Sequence, residues 1–173
     1  MGSGRSAVTA AIGTLLLGGC ASVLGTVEEN PPGGPGNGGA GGEAATCVDW
    51  VLHATPVEAA RDNLAVRATV VGPAGTQRVW GVDGALWELD VAEVLVGTGV
   101  EAGERVTVLS TPETCSSATY PSGDPLDVEG EVVVILHDDA EHGLRTVTPF
   151  DGVVTPGPDG GLPASWPAGH PGL

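Results

Sequence analysis

The chain has no lysine. Its six basic residues are all arginines, and they stand against 22 Asp and Glu residues, for a formal net charge of −16 at pH 7. Affinity for nucleic acids comes mainly from cationic contacts to phosphates, so a surface of this sign disfavours DNA and RNA as partners. It also disfavours electrostatic docking on anionic lipid head groups. We therefore expect no nucleic-acid partner.

The sequence also lacks an apolar run near its start that is long enough to span a membrane. The stretch Ala7–Leu17, preceded by Arg5, is interrupted by small and polar residues. A transmembrane helix needs about 20 apolar residues, whereas the central region of a signal peptide needs only about 7–15. The length and the single preceding Arg favour a signal peptide.

That run ends in Leu17-Gly18-Gly19-Cys20, which resembles the lipobox of bacterial lipoproteins. The resemblance implies that residues 1–19 are removed and that Cys20 carries a diacylglyceryl group. Two acyl chains suffice for stable anchoring. The expected location is the extracytoplasmic side of the cell membrane, with the lipid as the membrane contact. The alternatives are a plain secretory signal with a chance cysteine, or a buried apolar helix.

Residues 20–45 are expected to be a flexible tether after the lipidated cysteine. Residues 21–45 contain eight Gly and three Pro, and their few sizeable apolar residues sit next to Cys20. Such a segment has too little to bury to offset the entropy of folding. As a coil it reaches roughly 25–30 Å. A Gly-rich phosphate loop is the alternative, but it needs a preceding strand and a following helix, and neither pattern is present.

Residues 46–167 are predicted to form the folded head, followed by a tail at 168–173. Thr55, Pro56 and Glu58 form a capping-box pattern that predicts one short helix. Thereafter the apolar period becomes two, which is typical of strands. The predicted strands are 64–71, 85–97, 105–110, 131–137 and 144–149, with 151–155 as a sixth. We expect an all-β, five- to six-stranded small barrel or sandwich.

Three details of this pattern make local predictions. The phase of alternation slips near Ala92–Glu93, which indicates a β-bulge. The segment Glu131–His137 is apolar on both faces, which indicates the most buried strand. Trp87 lies on the core phase of its strand, and Trp166 is expected to hold the Pro/Gly-rich tail against the barrel.

Cys47 and Cys115 are the two remaining thiols once Cys20 is assigned to lipid. In an exported domain they are expected to form a disulfide. Such a bridge would connect the start of the head to the segment after a strand. Two free thiols or a metal-binding pair are the alternatives, although the sequence has no Cys-x-x-Cys pattern and no His beside either cysteine.

The head has an early cysteine, a strand, a longer bulged strand ending in "VLVG", a strand leading to a second cysteine, and then "VEGEVVVIL". This layout resembles the netrin-like module, the OB-fold barrel shared by tissue inhibitors of metalloproteinases. In those inhibitors the free amine of the first cysteine chelates the zinc of the target protease. Cys47 lies behind the tether, so the resemblance implies the fold and not that mechanism.

One acidic cluster could bind metal. His137, Asp138, Asp139 and His142 place carboxylates between two imidazoles, a set that suits calcium or zinc. A second acidic run surrounds Asp127, but it lacks the ligand spacing of an EF-hand. In both places the alternative is a solvated turn, so a metal-binding lipoprotein is the second functional hypothesis. No resident cofactor is expected.

The sequence contains no G-x-S-x-G, H-E-x-x-H or P-loop motif, although a catalytic group assembled in space leaves little local trace. Trp80 lies in a predicted loop and is, with Tyr120, a candidate for a binding surface. Trp80 could instead plug the end of the barrel. We therefore expect a lipid-anchored module that binds an envelope protein or a small ligand. An envelope enzyme is the third hypothesis, with a nucleophile expected beside His137 or His142.

Overall fold

The computed structural model describes residues 46–170. The predicted signal peptide, lipidated Cys20 and tether lie outside the described residues, as do the last three residues of the predicted tail. Within residues 46–170, no helix has the length and apolar character needed to cross a membrane.

The described chain is a small all-β domain with one short helix, which confirms the predicted fold class. Thr55 caps the helix: its Oγ1 accepts a hydrogen bond from the N–H of Glu58 at 3.1 Å, and the Glu58 carboxylate accepts one from the N–H of Ala54 at 2.9 Å. In chain order the elements are α1 (Pro56–Ala59), β1 (Leu64–Val79), β2 (Val82–Val96), β3 (Arg105–Leu109), β4 (Glu131–Asp139), β5 (Gly143–Thr146) and β6 (Val153–Val154).

The sheet closes on itself as a ring. Its strand order is β1-β2-β3-β5-β4-β6, and β1 pairs with β4 as well as with β2. All pairings are antiparallel except that of β3 with β5, which is parallel. Strand β6 pairs with Val133 and Val134 of β4, next to the part of β4 that pairs with β5. A ring of five strands agrees with the OB-like expectation, while membership of the netrin-like family stays a prediction.

Strands β1 and β2 are long and bulged. Arg67 pairs with Glu93 and the next residue, Ala68, pairs with Val91, so Ala92 is an extra residue on β2. This confirms the predicted bulge. One further register shift precedes it along β1, between Ala65 and Val66, and two follow it. Because each bulge bends a strand and increases its twist, the repeated shifts help the sheet to curve into a ring.

Strand β1 extends further than predicted. The prediction ends this strand at residue 71 and places Trp80 in a loop, but the pairing with β2 continues up to Val79 and Val82. Trp80 and Gly81 are therefore a two-residue hairpin turn, with φ values of 47° and 83°. The loop prediction is wrong because bulges accommodate residues that interrupt the apolar alternation, which periodicity does not detect.

The main core fills the inside of the ring and is aliphatic. Residues 132–136 of β4 are all buried, which confirms the prediction for this strand, and Trp87 packs at the edge of the same core. The fully or nearly fully buried members are Leu64, Val66, Ala68, Leu89, Val91, Val100, Val106, Val108, Leu126, Val132, Val134 and Leu136.

A second, smaller core lies on the other face of β4. There Ile135 and Val133 pack with Ala59 of the helix and with Trp166 from the C-terminal segment. The indole Nε1 of Trp166 donates a hydrogen bond to the carbonyl of His53 at 2.7 Å. Trp166 therefore holds the C-terminal segment against the sheet, as predicted.

Candidate functional site

The loop between β3 and β4, residues 110–130, forms most of a cleft of about 450 Å³. Its walls include Tyr120 and Phe150, which are the only tyrosine and the only phenylalanine of the chain. Both rings are partly exposed. Tyr120 was predicted from the sequence as a binding residue, but Phe150 was not. Phe150 follows β5, and only the folded chain brings it beside Tyr120 in the cleft. The remaining lining residues are Glu113, Thr119, Pro121, Ser122, Gly123, Asp124, Pro125, Asp127, Val128 and Pro149.

The hydroxyl of Tyr120 is held by backbone groups of β2 and of the residue that follows β3. It donates to the carbonyl of Ser110 at 2.6 Å and accepts from the N–H of Ala85 at 2.9 Å. Burial raises the pKa of this phenol, and its hydrogen bonds to Ala85 and Ser110 oppose the rise. The hydroxyl is thus committed to the protein, so Tyr120 offers a ligand its ring and not its oxygen.

Asp124 joins the same wall to the core. Its carboxylate accepts hydrogen bonds from the indole Nε1 of Trp87 at 2.9 Å, from the Ser110 hydroxyl at 2.6 Å and from the N–H of Leu126 at 2.9 Å. Both of its oxygens are engaged. The network fixes the loop around the cleft, because Trp87 of β2 and Ser110 after β3 both bond to a side chain that also closes a local turn with Leu126.

Two other carboxylates in the cleft are not engaged in this way. Within residues 46–170, the side chains of Glu113 and Asp127 have no hydrogen bond or ion pair to another protein group. In contrast, four arginines of the head each contact at least one carboxylate, and none of them lines this cleft. The cleft therefore combines aromatic and proline surface with uncompensated negative charge.

Trp80, the other predicted surface residue, lies elsewhere. Its half-buried ring meets the edge of Trp50 with 5.4 Å between centroids and that of His142 at 5.2 Å. The Arg145 guanidinium carbon is 5.5 Å from the Trp80 centroid and 5.6 Å from that of Trp50. Trp80 does not line the Tyr120 cleft, so the structure does not bring the two predicted residues together.

The four residues predicted as weak metal candidates have separate roles. Asp139 accepts hydrogen bonds from the N–H groups of Glu141 and His142 and from Arg145 Nε, at 3.0–3.1 Å. His137 Nδ1 lies 3.1 Å from the Asn63 side-chain oxygen, His142 packs on Trp80 and Asp138 is exposed. No group of three or more His, Cys, Asp or Glu side chains in residues 46–170 is arranged to hold a metal ion.

The environment of Asp139 explains its ionisation. Partial burial raises the pKa of this carboxyl, but the hydrogen bonds from Glu141, Arg145 and His142 outweigh the burial and lower the pKa to about 2. A carboxylate held by donors in this way closes the turn between β4 and β5. This geometry supports a solvated turn at Asp139 and not a metal site, because the carboxylate caps the N–H groups of the turn.

A buried carboxylate that the sequence did not reveal is Asp151. It has no solvent exposure. One oxygen accepts from the N–H and Nδ1 of His53 at 2.9 and 3.1 Å, and the other accepts from Nε2 of His170 at 2.7 Å. The His170 ring stacks on Trp166 with 4.4 Å between centroids. Asp151 thereby connects the first and last segments of the described chain.

His53 and His137 both line a second cleft of about 340 Å³. The one hydroxyl on its walls belongs to Thr148, whose oxygen accepts hydrogen bonds from the N–H groups of Phe150 and Asp151. No serine or cysteine lines this cleft. In this cleft, therefore, no serine or cysteine lies beside His137 to act as the nucleophile that the envelope-enzyme hypothesis requires.

Cys47 and Cys115 form a disulfide with their Cα atoms 4.8 Å apart, within the usual range for such bonds. Both residues are exposed. Next to it, the N–H of Val48 donates to the hydroxyl of Thr114 at 2.8 Å, and the N–H of Thr46 donates to the carbonyl of Trp80. This placement agrees with the predicted bridge, which would join the start of the head to the loop that forms the cleft.

Comparison with protein-family profiles, with curated proteins and with solved structures finds no match to this chain. The functional argument therefore depends on the residues and the geometry described above.

Proposed function

We propose that this protein is a lipid-anchored module of the cell envelope whose β-barrel-like head binds a ligand or a partner in the Tyr120 cleft. The observation that carries the binding role is the cleft itself. In a chain with 3% aromatic residues, the only tyrosine and the only phenylalanine line an open cavity. Aromatic side chains at such positions favour recognition, since they supply large contact area at little cost in conformational entropy.

The cleft is also held in shape before any ligand arrives. Tyr120 and Asp124 are tied to the barrel by hydrogen bonds, and the Cys47–Cys115 disulfide lies a few residues before Tyr120. A site organised in advance loses less entropy on binding. We propose no metal-binding function, because the Asp139 carboxylate already accepts hydrogen bonds from three donors of its own chain.

The binding role is tested with immobilised full-length chain exposed to envelope extract of the producing organism, followed by mass spectrometry of retained proteins and small molecules. We expect material that is retained by the wild type and lost from Phe150→Ala. The matched control is Val71→Ala, which truncates an apolar side chain that is 45% exposed and lies outside the cleft. Circular dichroism establishes that both variants are folded. Retention that is equal for Phe150→Ala and the wild type would contradict a role for the cleft.

The anchoring part of the proposal rests on the lipobox resemblance at Leu17–Cys20 and has its own test. Cys20→Ala should abolish incorporation of labelled fatty acid and release the protein from the membrane fraction, or leave it uncleaved. The matched control is Cys47→Ser, which removes a cysteine of the disulfide and should leave the labelling intact. Unchanged labelling of Cys20→Ala would overturn the anchoring proposal.

A further inference from the structure

We propose that the Tyr120 cleft binds a small organic cation, an ammonium group that carries an apolar body. This inference rests on the proposed function, because it names the ligand class for the same cleft. It follows from the aromatic residues, the unpaired charges and the size of the cleft, taken in that order.

The two aromatic residues of the cleft are partly exposed on its walls. The cores of the head are built from Ala, Val, Leu and Ile with Trp166, so Tyr120 and Phe150 are not needed to fill them. The Tyr120 hydroxyl is already bonded within the barrel, which leaves the face of the ring as its contribution to binding. A cation within about 6 Å of such a face is attracted by the negative potential of the π system.

The charge of the cleft selects a cation. Glu113 and Asp127 line it without an ion pair to any residue of the described chain, and no arginine is present on its walls. Around it, a head that carries far more acidic than basic residues repels anions at longer range. A positively charged ligand would therefore gain from two nearby carboxylates, while a neutral ligand of equal shape would gain only from contact.

The dimensions favour a small molecule over a protein segment. About 450 Å³ falls in the range of about 300–1,000 Å³ typical of small-molecule sites. Three prolines, Pro121, Pro125 and Pro149, stiffen the walls. The geometry thus fits an apolar body resting against proline and aromatic surface, with its ammonium group towards Glu113 and Asp127.

The test uses the full-length chain with ¹³C-labelled tyrosine and phenylalanine. Because each residue type occurs once, each NMR ring spectrum reports on the cleft alone. The probes are choline and 3,3-dimethylbutan-1-ol, which has the same shape without the charge. We expect choline to shift the Tyr120 and Phe150 signals saturably, to bind at least about fivefold more tightly than the alcohol, and to lose this preference as sodium chloride is added.

A matched pair of variants assigns the preference to the cleft. Glu113→Gln with Asp127→Asn should remove the larger part of the choline preference and leave only the part that the two aromatic rings supply. Glu101→Gln with Asp62→Asn makes the same change in net charge at exposed positions outside the cleft, and it should retain the choline preference. Loss of the preference in both double variants would mean that general surface charge, not the cleft, attracts the cation, and would overturn the proposal.

Two further outcomes also overturn it. If both probes shift the ring signals and bind with equal affinity, the proposed ligand class is wrong, although the cleft is still a binding site. If neither probe shifts them, the small-cation inference fails, while the capture experiment with Phe150→Ala decides separately whether the cleft binds anything else.

Discussion

Among residues 46–170, Asp151 alone is a carboxylate with no solvent exposure. Its oxygens accept hydrogen bonds from His53 and His170, and these are the contacts that fasten both ends of the described chain to the sheet. A buried charge is stable only when it is paired and hydrogen-bonded. The interaction is therefore structural, and loss of the charge or of its partners should lower the free energy of unfolding.

Asp151→Asn should lower the free energy of unfolding by about 3 kcal/mol, because an amide replaces a buried charge on which three donors converge. Urea denaturation of the full-length chain measures the change. Asp62→Asn, at an exposed position, is the control and should shift stability by less than about 0.5 kcal/mol. Equal stability of Asp151→Asn and the wild type would contradict the structural role.

Asp139 makes stability depend on acid. The pKa of its carboxyl falls from the ordinary value of 3.8 to about 2 in the folded protein. A group whose pKa is lower in the folded state than in the unfolded state stabilises the protein fully at pH values above its unfolded-state pKa. This stabilisation is lost as the pH falls through the folded-state pKa. The contribution of Asp139 should therefore be constant above about pH 5 and disappear between about pH 4 and pH 2.

The measurement compares the wild type with Asp139→Asn, which cannot ionise. The difference in the free energy of unfolding between the two proteins should be largest at neutral pH and should shrink below pH 4. Asp138→Asn changes the neighbouring exposed residue and serves as the control, with a smaller difference from the wild type at neutral pH. A difference for Asp139→Asn that stays constant down to pH 2 would contradict this account of the turn.

At the scale of elements, the β1–β2 hairpin shows a conflict between its turn and its packing. Trp80 has a φ of 47° and is the only non-glycine residue of the described chain with a positive φ. A two-residue turn of this kind prefers Asn at its first position, and a bulky residue there is strained. The Trp80 ring nevertheless contacts Trp50, His142 and Arg145. We infer that this packing outweighs the strain.

Trp80→Asn should therefore destabilise the head by about 1–2 kcal/mol, because the lost aromatic burial exceeds the relief of backbone strain, which is about 1 kcal/mol. Thermal or urea unfolding of the full-length chain measures the effect. Trp80→Phe keeps an aromatic ring and the strained backbone, and it should lie between the wild type and Trp80→Asn. A Trp80→Asn variant as stable as the wild type would show that the Trp80 ring does not stabilise the fold by packing. Trp80 would then again be a candidate for a binding surface.

Much of the element pattern could be predicted from the sequence, because alternation, capping and turn residues act over a few neighbours. The helix at Thr55, the bulge at Ala92 and the buried strand β4 follow from such local signals. The second half of β1 does not, since its pairing depends on bulges. The Asp151 contacts join residues 98 and 19 positions apart, and Phe150 reaches the cleft in the same non-local way, so neither had a local signal.

At the scale of the whole molecule, the disulfide connects the start of the head to the loop that forms the candidate site. Cys47 and Cys115 are 68 residues apart in sequence, and the bond encloses α1, β1, β2 and β3. Constraining a loop of that length in the unfolded chain stabilises the fold by about 4 kcal/mol in the chain-entropy model. In the folded state it also fixes the start of the loop that contains Tyr120.

The bridge predicts a result for thiol chemistry and for binding. Cys20→Ala protein, denatured without reductant, should contain no free thiol, and two free thiols would refute the bridge. In that background, Cys47→Ser with Cys115→Ser should lower the free energy of unfolding by about 4 kcal/mol while adding no charge to the cleft. If the disulfide also organises the cleft in advance, the double variant, measured under conditions where it is folded, should bind choline more weakly than its parent. Because the parent already lacks the lipid, any loss of affinity belongs to the bridge and not to the anchor.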